Sequence, residues 1–440
     1  MKKLSASLYS IFIVGFIARV LLLILLPQKA TILAPDEAAY AGLTYWVSHG
    51  LDIRDFPGHG HGLYERTRTY ILFSVLFYRM GFDEYTATRL TSLTFSISLS
   101  FILLRLFLNQ LVRTPALKPL LSFSLVFVFA FLNLLPSYIL WSVLAIRETT
   151  SHFFIFLSSL IFSKILLKEP KFKLNTLLLF VFVALAFGVR AQSVWILLAT
   201  FLVCSWFVRD TFFRKLGLTT LILVSFTIGT FWTSNTSYLY KSDLTVTTPA
   251  PTSVTAPKES KTKILLSESF QAPLISIFQL DDRRANNQQF AASAVTPPVC
   301  NNDGVRQFFC EVSLMGYQLI SFLFRPLPLI DTGSPLLIVA SIENLFWVAL
   351  YVLVLILVKE AYKTVGVELF LSDQLVRLHA IFLVTFSVSA SMYFGNLGTG
   401  FRHKTTLLWC ISLLVLRLVQ IAGKDSMSKM SLGKLAWKQN

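Results

Sequence analysis

Charged side chains are scarce in this chain. Asp, Glu, Lys and Arg together make up 14% of its 440 residues, where a soluble globular chain carries about a quarter. The charge that is present gathers in short stretches between long apolar runs, a pattern that excludes a water-soluble core. Strict alternation of apolar and polar residues is lacking as well. Runs such as 177–185 are apolar on every face, which excludes an outer-membrane barrel, whose strands alternate. There is no repeat at a fixed period, no GxxxxGK(S/T) phosphate loop and no HExxH metal motif. Cysteine is sparse, at four residues. Cys204 and Cys410 fall inside apolar runs and read as small hydrophobes.

What the chain has is hydrophobic length. Apolar residues reach 55% and mean hydropathy is +0.66. A spanning helix needs roughly 20 mostly apolar residues, and about ten such segments occur. The net charge of +16 sits largely in short loops beside those segments. The positive-inside rule places it there, so it is assigned to membrane topology and not to nucleic acid.

The expected order is as follows. Lys2 and Lys3 set a cytoplasmic amino terminus, and the run 8–26 is a retained first span, too long and too interrupted (by Arg19) for a signal peptide. A first outer loop, 27–84, holds two amphipathic segments, 35–49 and 69–80, separated by a Gly/His-rich turn containing His59 and His61. Both segments suit helices lying on a membrane surface, although 69–80 also reads as the start of span 2. Spans follow at 86–108, 120–136, 144–164, 174–189, 192–208 and 216–232. Three basic clusters (Arg113 and Lys118; Lys164 to Lys173; Arg209 to Lys215) then fall on one side. A long outer loop, 233–334, opens with a Thr/Ser/Pro-rich linker. Spans at 336–358, 375–394 and 405–421 lead to a basic cytoplasmic tail, 422–440. The domains are thus a 1–232 module, the loop, the 335–421 helices and the tail. Localisation is an integral, multi-pass position in a bacterial inner membrane with both termini cytoplasmic.

Ionisable residues near a membrane are functional candidates by default. Arg19, Asp36, Glu37, Glu65, Arg66, Arg68, Arg147, Glu148, Arg190, Arg402, His403 and Lys404 all fall near expected outer helix ends. Carboxylates and cations on one face suit a reaction that needs a base and an anion pocket. Each also has a plainer reading. Asp36 and Glu37 follow Pro35 and fit ordinary helix-start chemistry. Arg147 and Glu148 fit an ion pair, and Arg190 fits snorkelling to the interface. His59 and His61 fit a turn, and Glu343 has no assigned role.

In its position after span 1, the stretch PDEAAYAGLTYWVSHG (35–50) resembles the first outer loop of GT-C class membrane glycosyltransferases, of the protein mannosyltransferase and aminoarabinose transferase type. The likeness extends to Arg19 in span 1, to Thr86, Arg89 and Leu90 at the start of span 2, and to Arg147-Glu148 at span 4, covering about 8–210. The resemblance implies an all-α membrane fold with surface helices and a long outer loop. It also implies transfer of a sugar from a polyprenyl-phosphate donor to a glycan, lipid or protein acceptor, with inversion. Asp36 takes the family's base role. Of the other two catalytic candidates, Glu37 points about 100° away on a helix and is expected to brace the loop or pair with an arginine, and Glu148 is the next candidate base. A departing phosphate needs cations and no general acid. Arg19, Arg68, Arg147, Arg190, Arg402 and His403 are the candidates, arginine matching phosphate by its fork. Tyr64-Glu65-Arg66-Thr67-Arg68 stands where aminoarabinose enzymes tend to have Pro-Pro, which leaves the donor sugar and a divalent metal cofactor open; no metal ligands are assigned.

Two other readings compete. A polysaccharide polymerase or O-antigen ligase would rest on Arg283, Arg284 and Arg306 in the long loop. A lipid-linked sugar flippase would place charges at the midplane and show inverted repeats. Cys300 and Cys310, in a loop assigned to the oxidising side, are expected to form a disulfide.

Overall fold

The structure is a computed structural model that describes residues 2–27, 36–56, 60–113, 117–168, 170–207, 211–234, 305–328, 331, 335–392 and 397–436. Among these, thirteen helices and no strand occur. In chain order they are α1 (Lys2–Leu25), α2 (Asp36–Ser48), α3 (Gly60–Arg79), α4 (Glu84–Arg113), α5 (Pro119–Leu134), α6 (Pro136–Val143) and α7 (Glu148–Leu166). α8 (Phe172–Trp206), α9 (Phe212–Ser234), α10 (Val305–Phe324), α11 (Pro335–Ser372), α12 (Gln374–Met392) and α13 (Leu397–Ala436) complete the chain. Eight helices are long and apolar enough to cross a membrane, and the bent pair α5–α6 makes a ninth. Their outward faces carry large apolar side chains such as Leu25, Phe213 and Leu355, a surface that suits lipid and not water. The chain is an all-α, multi-pass membrane protein.

Side-chain contacts set the direction of each helix. The carbonyls of Leu26 and Pro27, just past α1, accept from Arg89 near the start of α4. At the opposite end Gln420 of α13 donates to Gln110 of α4, and Arg214 of α9 donates to the Leu166 carbonyl at the end of α7. The helices therefore alternate between an end that carries α2, called the near end here, and a far end.

α8 shows why ten spans were expected and eight helices are counted. Arg190 has non-helical φ/ψ (−158°, 83°) inside it, and its guanidinium reaches Glu148 at the near end of α7. Phe201, beyond Arg190, stacks on Phe162 near the far end of α7 at 3.9 Å. The second half of α8 thus doubles back along α7. Spans expected at 174–189 and 192–208 are the two halves of this one helix; by length and composition the described helices supply eight candidate spans, or nine with α5–α6.

Two further differences follow from local chemistry. The span expected at 120–136 does not stop at Pro136 but bends by 44° and continues as α6. Proline has no N–H to give to Leu132, and the next N–H, that of Ser137, goes to Glu343 of α11. Residues 69–79 belong to α3 and not to α4, with Met80 in the turn between them. Gly81 takes a positive φ of 101° between them, and Asp83 accepts from the N–H groups of Tyr85 and Thr86, the side-chain cap that starts a helix.

α2, α3 and the short 3-10 turn Ile53–Asp55 form a lobe at the near end. Tyr40, Leu43, Val47, Ile53, Tyr64, Tyr70, Ile71 and Val75 make its core, separate from the large core of the bundle. Tyr70 Oη donates to the Thr88 carbonyl at 2.9 Å, which ties the lobe to α4. Of the expected loop 233–334, the described part is its first two residues, α10 and its short continuation. Arg283, Arg284 and Cys300 lie outside the described residues, as does His59. Cys310 in α10 is disulfide-bonded, while Cys204 and Cys410 are buried free thiols.

Candidate functional site

The near end brings together four elements that are distant in sequence. α2 begins there with Asp36, α7 begins with Glu148, α8 turns at Arg190, and the first turns of α13 carry Arg402 and His403. Three of these are helix starts, where an acidic side chain in the first turn is favoured by the helix dipole. The same fact explains why helix-start chemistry was a sufficient reading of the sequence alone.

Glu148 is the hub. Its side chain is buried, and Oε1 lies 3.1 Å from Arg402 Nε and 3.5 Å from Arg190 Nη1. The Arg402 contact is an ion pair without hydrogen-bond alignment, since that Nε has no aligned acceptor. Arg190 Nη2 in turn lies 2.9 Å from His403 Nδ1 and 3.2 Å from its Nε2, so an unprotonated ring nitrogen of His403 accepts from it. Arg402 also faces Asp36, with Nη1 4.0 Å from Oδ2. Asp36 is the open member, its side chain 56% exposed against 4% for Glu148.

Tyr40 forms the floor on the α2 side. It is buried against Tyr70, ring centroids 5.4 Å apart, and burial pushes its phenol up to about 12. It therefore stays protonated through the neutral range. Asp36, Glu148, Arg147 and Arg402 all act on it electrostatically, which places the five groups in one neighbourhood. Arg147 itself is partly exposed, with Nη1 3.5 Å from the Arg66 carbonyl.

Glu37 is separate in role from its neighbour. It is 0% exposed, and Arg89 grips it with Nε 2.6 Å from Oε1 and Nη2 3.1 Å from Oε2. The Ala145 N–H donates to the same Oε1. One carboxylate thus joins the start of α2, the start of α4 and the loop that leads to Arg147-Glu148. Adjacent helical residues point about 100° apart, so Asp36 faces out while Glu37 faces in.

The structure does not bring two of the expected phosphate ligands to the cluster. Arg68 is buried against the end of α9, donating to the Trp232 carbonyl at 2.8 Å with its guanidinium over the Trp232 ring. Arg19 is buried between α1 and α6, donating to Ser142 and to the carbonyls of Gly15 and Asn133. Lys404, beside His403 in sequence, turns inward to Asn344 and the Arg325 carbonyl. No group of three or more His, Cys, Asp and Glu placed to hold a metal occurs among the described residues.

Sequence reasoning named Arg89 and the stretch that holds Tyr40, and gave Glu37 an arginine partner without saying which. The Glu37–Arg89 pair and the Tyr40–Tyr70 contact are made across the fold, so no local window shows them. Comparison with protein-family models, with curated proteins and with solved structures returned no match.

Proposed function

We propose that this chain is a membrane glycosyltransferase of GT-C type that moves a sugar from a polyprenyl-phosphate donor to an acceptor, with inversion, at the near end. The observation that carries the reading is one exposed carboxylate, Asp36, beside a buried carboxylate held by arginines at the same end of the bundle. In this reaction the acceptor hydroxyl attacks the anomeric carbon and gives its proton to Asp36. The bond from the anomeric carbon to the phosphate oxygen breaks, and polyprenyl phosphate leaves as a stable anion. Arg402, Arg190 and Arg147 would meet that anion. Glu148 would hold the first two in place and offset part of their mutual repulsion. Glu148 has no exposed face with which to take a substrate proton, so it fits a positioning role better than that of a base.

The direct test incubates purified protein with a panel of polyprenyl-phosphate sugars and follows sugar transfer or release. Transfer of none of them, together with movement of one across a vesicle membrane, would replace this reading with that of a flippase.

Two predictions arise here. Arg402→Gln is expected to weaken donor binding, because a hydrogen bond to a charged group contributes about 1.5–3 kcal/mol. The apparent Kd for a polyprenyl-phosphate sugar should rise roughly tenfold to a hundredfold. An unchanged Kd with lower turnover would place Arg402 on the acceptor side.

The second concerns orientation. The basic clusters of the sequence favour the far end as cytoplasmic, so Asp36, Arg147 and Arg402 are expected to face outward. A reporter that works only in the cytoplasm should be silent when inserted after Arg402 and active when fused after Lys168. The opposite pattern would invert the topology.

A further inference from the structure

The far end of the bundle has a corner where exposed lysines alternate with exposed apolar side chains. The end of α7, the link to α8 and the start of α9 build it. Arg214 of α9 donates to the carbonyls of Ile165 (3.3 Å) and Leu166 (3.0 Å), which closes α9 onto the end of α7. The Lys168 N–H donates to the Ile165 carbonyl at 3.2 Å, and the Asn175 N–H to the Lys171 carbonyl at 3.0 Å, which fixes both sides of the link. Lys164, Lys168, Lys171 and Lys173 are exposed at this corner and Lys215 is partly exposed. Among the described residues no carboxylate pairs with Lys164, Lys171, Lys173 or Lys215. Residues 164–173 hold four lysines against one glutamate, and 209–215 hold three basic residues against one aspartate.

Two simpler accounts leave part of this arrangement unexplained. The helix dipole favours Lys164 and Lys168 at the end of α7, but it disfavours Lys171 and Lys173 at the start of α8. Topology asks only that positive charge lie on this side, not that it stand among large apolar groups. Lys168 and Lys171 also take positive φ values of 58° and 74°, which glycine or asparagine adopts more readily. Lysine at both positions is therefore not a preference of the backbone. The apolar members of the corner are Leu167, Phe172, Leu174, Phe212 and Phe213, with Phe172 59% and Phe213 82% exposed. They continue through Leu177 and Leu216 onto the outward faces of α8 and α9, which suit lipid. Apolar groups beside long cationic side chains match the boundary between acyl chains and headgroups.

We propose that this corner is a binding surface for anionic phospholipid. The lysines meet headgroup phosphates, and the phenylalanines and leucines enter the acyl layer beside them. The partner is lipid because nucleic acid would match the charge but leave Phe213 and its neighbours in water. The surface lies at the opposite end of the bundle from the Glu148 cluster, and it stands whether or not that cluster transfers a sugar.

The test uses the full chain in a neutral detergent and measures lipid binding by native mass spectrometry. Dioleoyl phosphatidylglycerol and dioleoyl phosphatidylcholine share their acyl chains and differ in net charge. Each lysine near an anionic headgroup is expected to contribute about fivefold in affinity, the equivalent of about 1 kcal/mol. Wild-type protein should therefore prefer phosphatidylglycerol by roughly a hundredfold, and less at high salt. Lys164→Gln, Lys171→Gln and Lys173→Gln combined should bring the two lipids close to equal. Lys359→Gln with Lys363→Gln removes two exposed lysines of α11 and should leave the preference intact. Should the triple variant fail to fold, Lys171→Gln alone is expected to weaken phosphatidylglycerol binding about fivefold. Equal binding of both lipids by wild type, an unchanged preference in the corner variants, or an equal loss in the α11 pair would overturn the proposal. Tighter binding of a single-stranded oligonucleotide than of phosphatidylglycerol would overturn it in favour of nucleic acid.

Discussion

Asp36→Asn is expected to lower sugar transfer by about 10²–10⁴, the usual cost of removing a general base, while donor binding stays near wild type. The substitution keeps the size and shape of the side chain and removes only its capacity to take a proton. Asp36 is largely exposed and its one ion-pair contact is long, 4.0 Å to Arg402, so the fold has little to lose. Exposed pairs of this kind contribute about 0–1 kcal/mol, and protein level and Tm should be unchanged. The measurement is transfer rate beside donor Kd for the same preparation. Near wild-type transfer by Asp36→Asn would show that the proton goes elsewhere, and Glu148→Gln would be examined next. Because Glu148 pairs with Arg190 and Arg402, its loss should raise donor Kd as well as lower the rate. That split distinguishes a positioning residue from a base.

The helices of the bundle were legible in the sequence because each spanning run is apolar on all faces and is closed by a charge or a proline. Pattern reading located the ends of α1, α4, α7 and α9 to within about six residues. It also placed a reversal at Arg190, where a basic residue interrupts two apolar runs. Less was legible at α5–α6. Pro136 signals a stop, but the chain continues because Glu343, more than 200 residues later, takes the Ser137 N–H that the break releases. No window of local sequence contains that partner. The same limit applies to the site. Residue type and position picked out Asp36, Glu148, Arg190 and Arg402, which the fold brings together. They also picked out Arg19 and Arg68, which the fold uses as anchors. An arginine near a helix end reads the same whether it meets a ligand or a backbone carbonyl.

Breaking the Glu37–Arg89 pair is expected to damage the protein more than any other single change at the near end, and through stability instead of chemistry. Glu37 is fully buried, Arg89 is 3% exposed, and two N–H groups of the guanidinium meet the two carboxylate oxygens at 2.6 and 3.1 Å. Removing one partner of a buried pair leaves the other charge without compensation, which typically costs about 3–5 kcal/mol. Arg89→Met would strand Glu37 and also free the Pro27 carbonyl, which accepts from Arg89 at 2.8 Å. Glu37→Gln would strand Arg89, with the smaller loss because an amide oxygen still accepts. Arg89→Lys keeps the charge but not the fork, and should recover only part of the stability. The double variant Glu37→Leu with Arg89→Met removes both charges and is expected to be more stable than Arg89→Met alone, since an apolar pair needs no compensation. Thermal unfolding of the five proteins in one detergent provides the comparison. A Glu37→Gln protein with wild-type Tm and no transfer would contradict this account and put Glu37 in contact with substrate. Lowered Tm with transfer that returns in proportion to folded protein would leave Asp36 as the one carboxylate of the α2 start that faces the reaction.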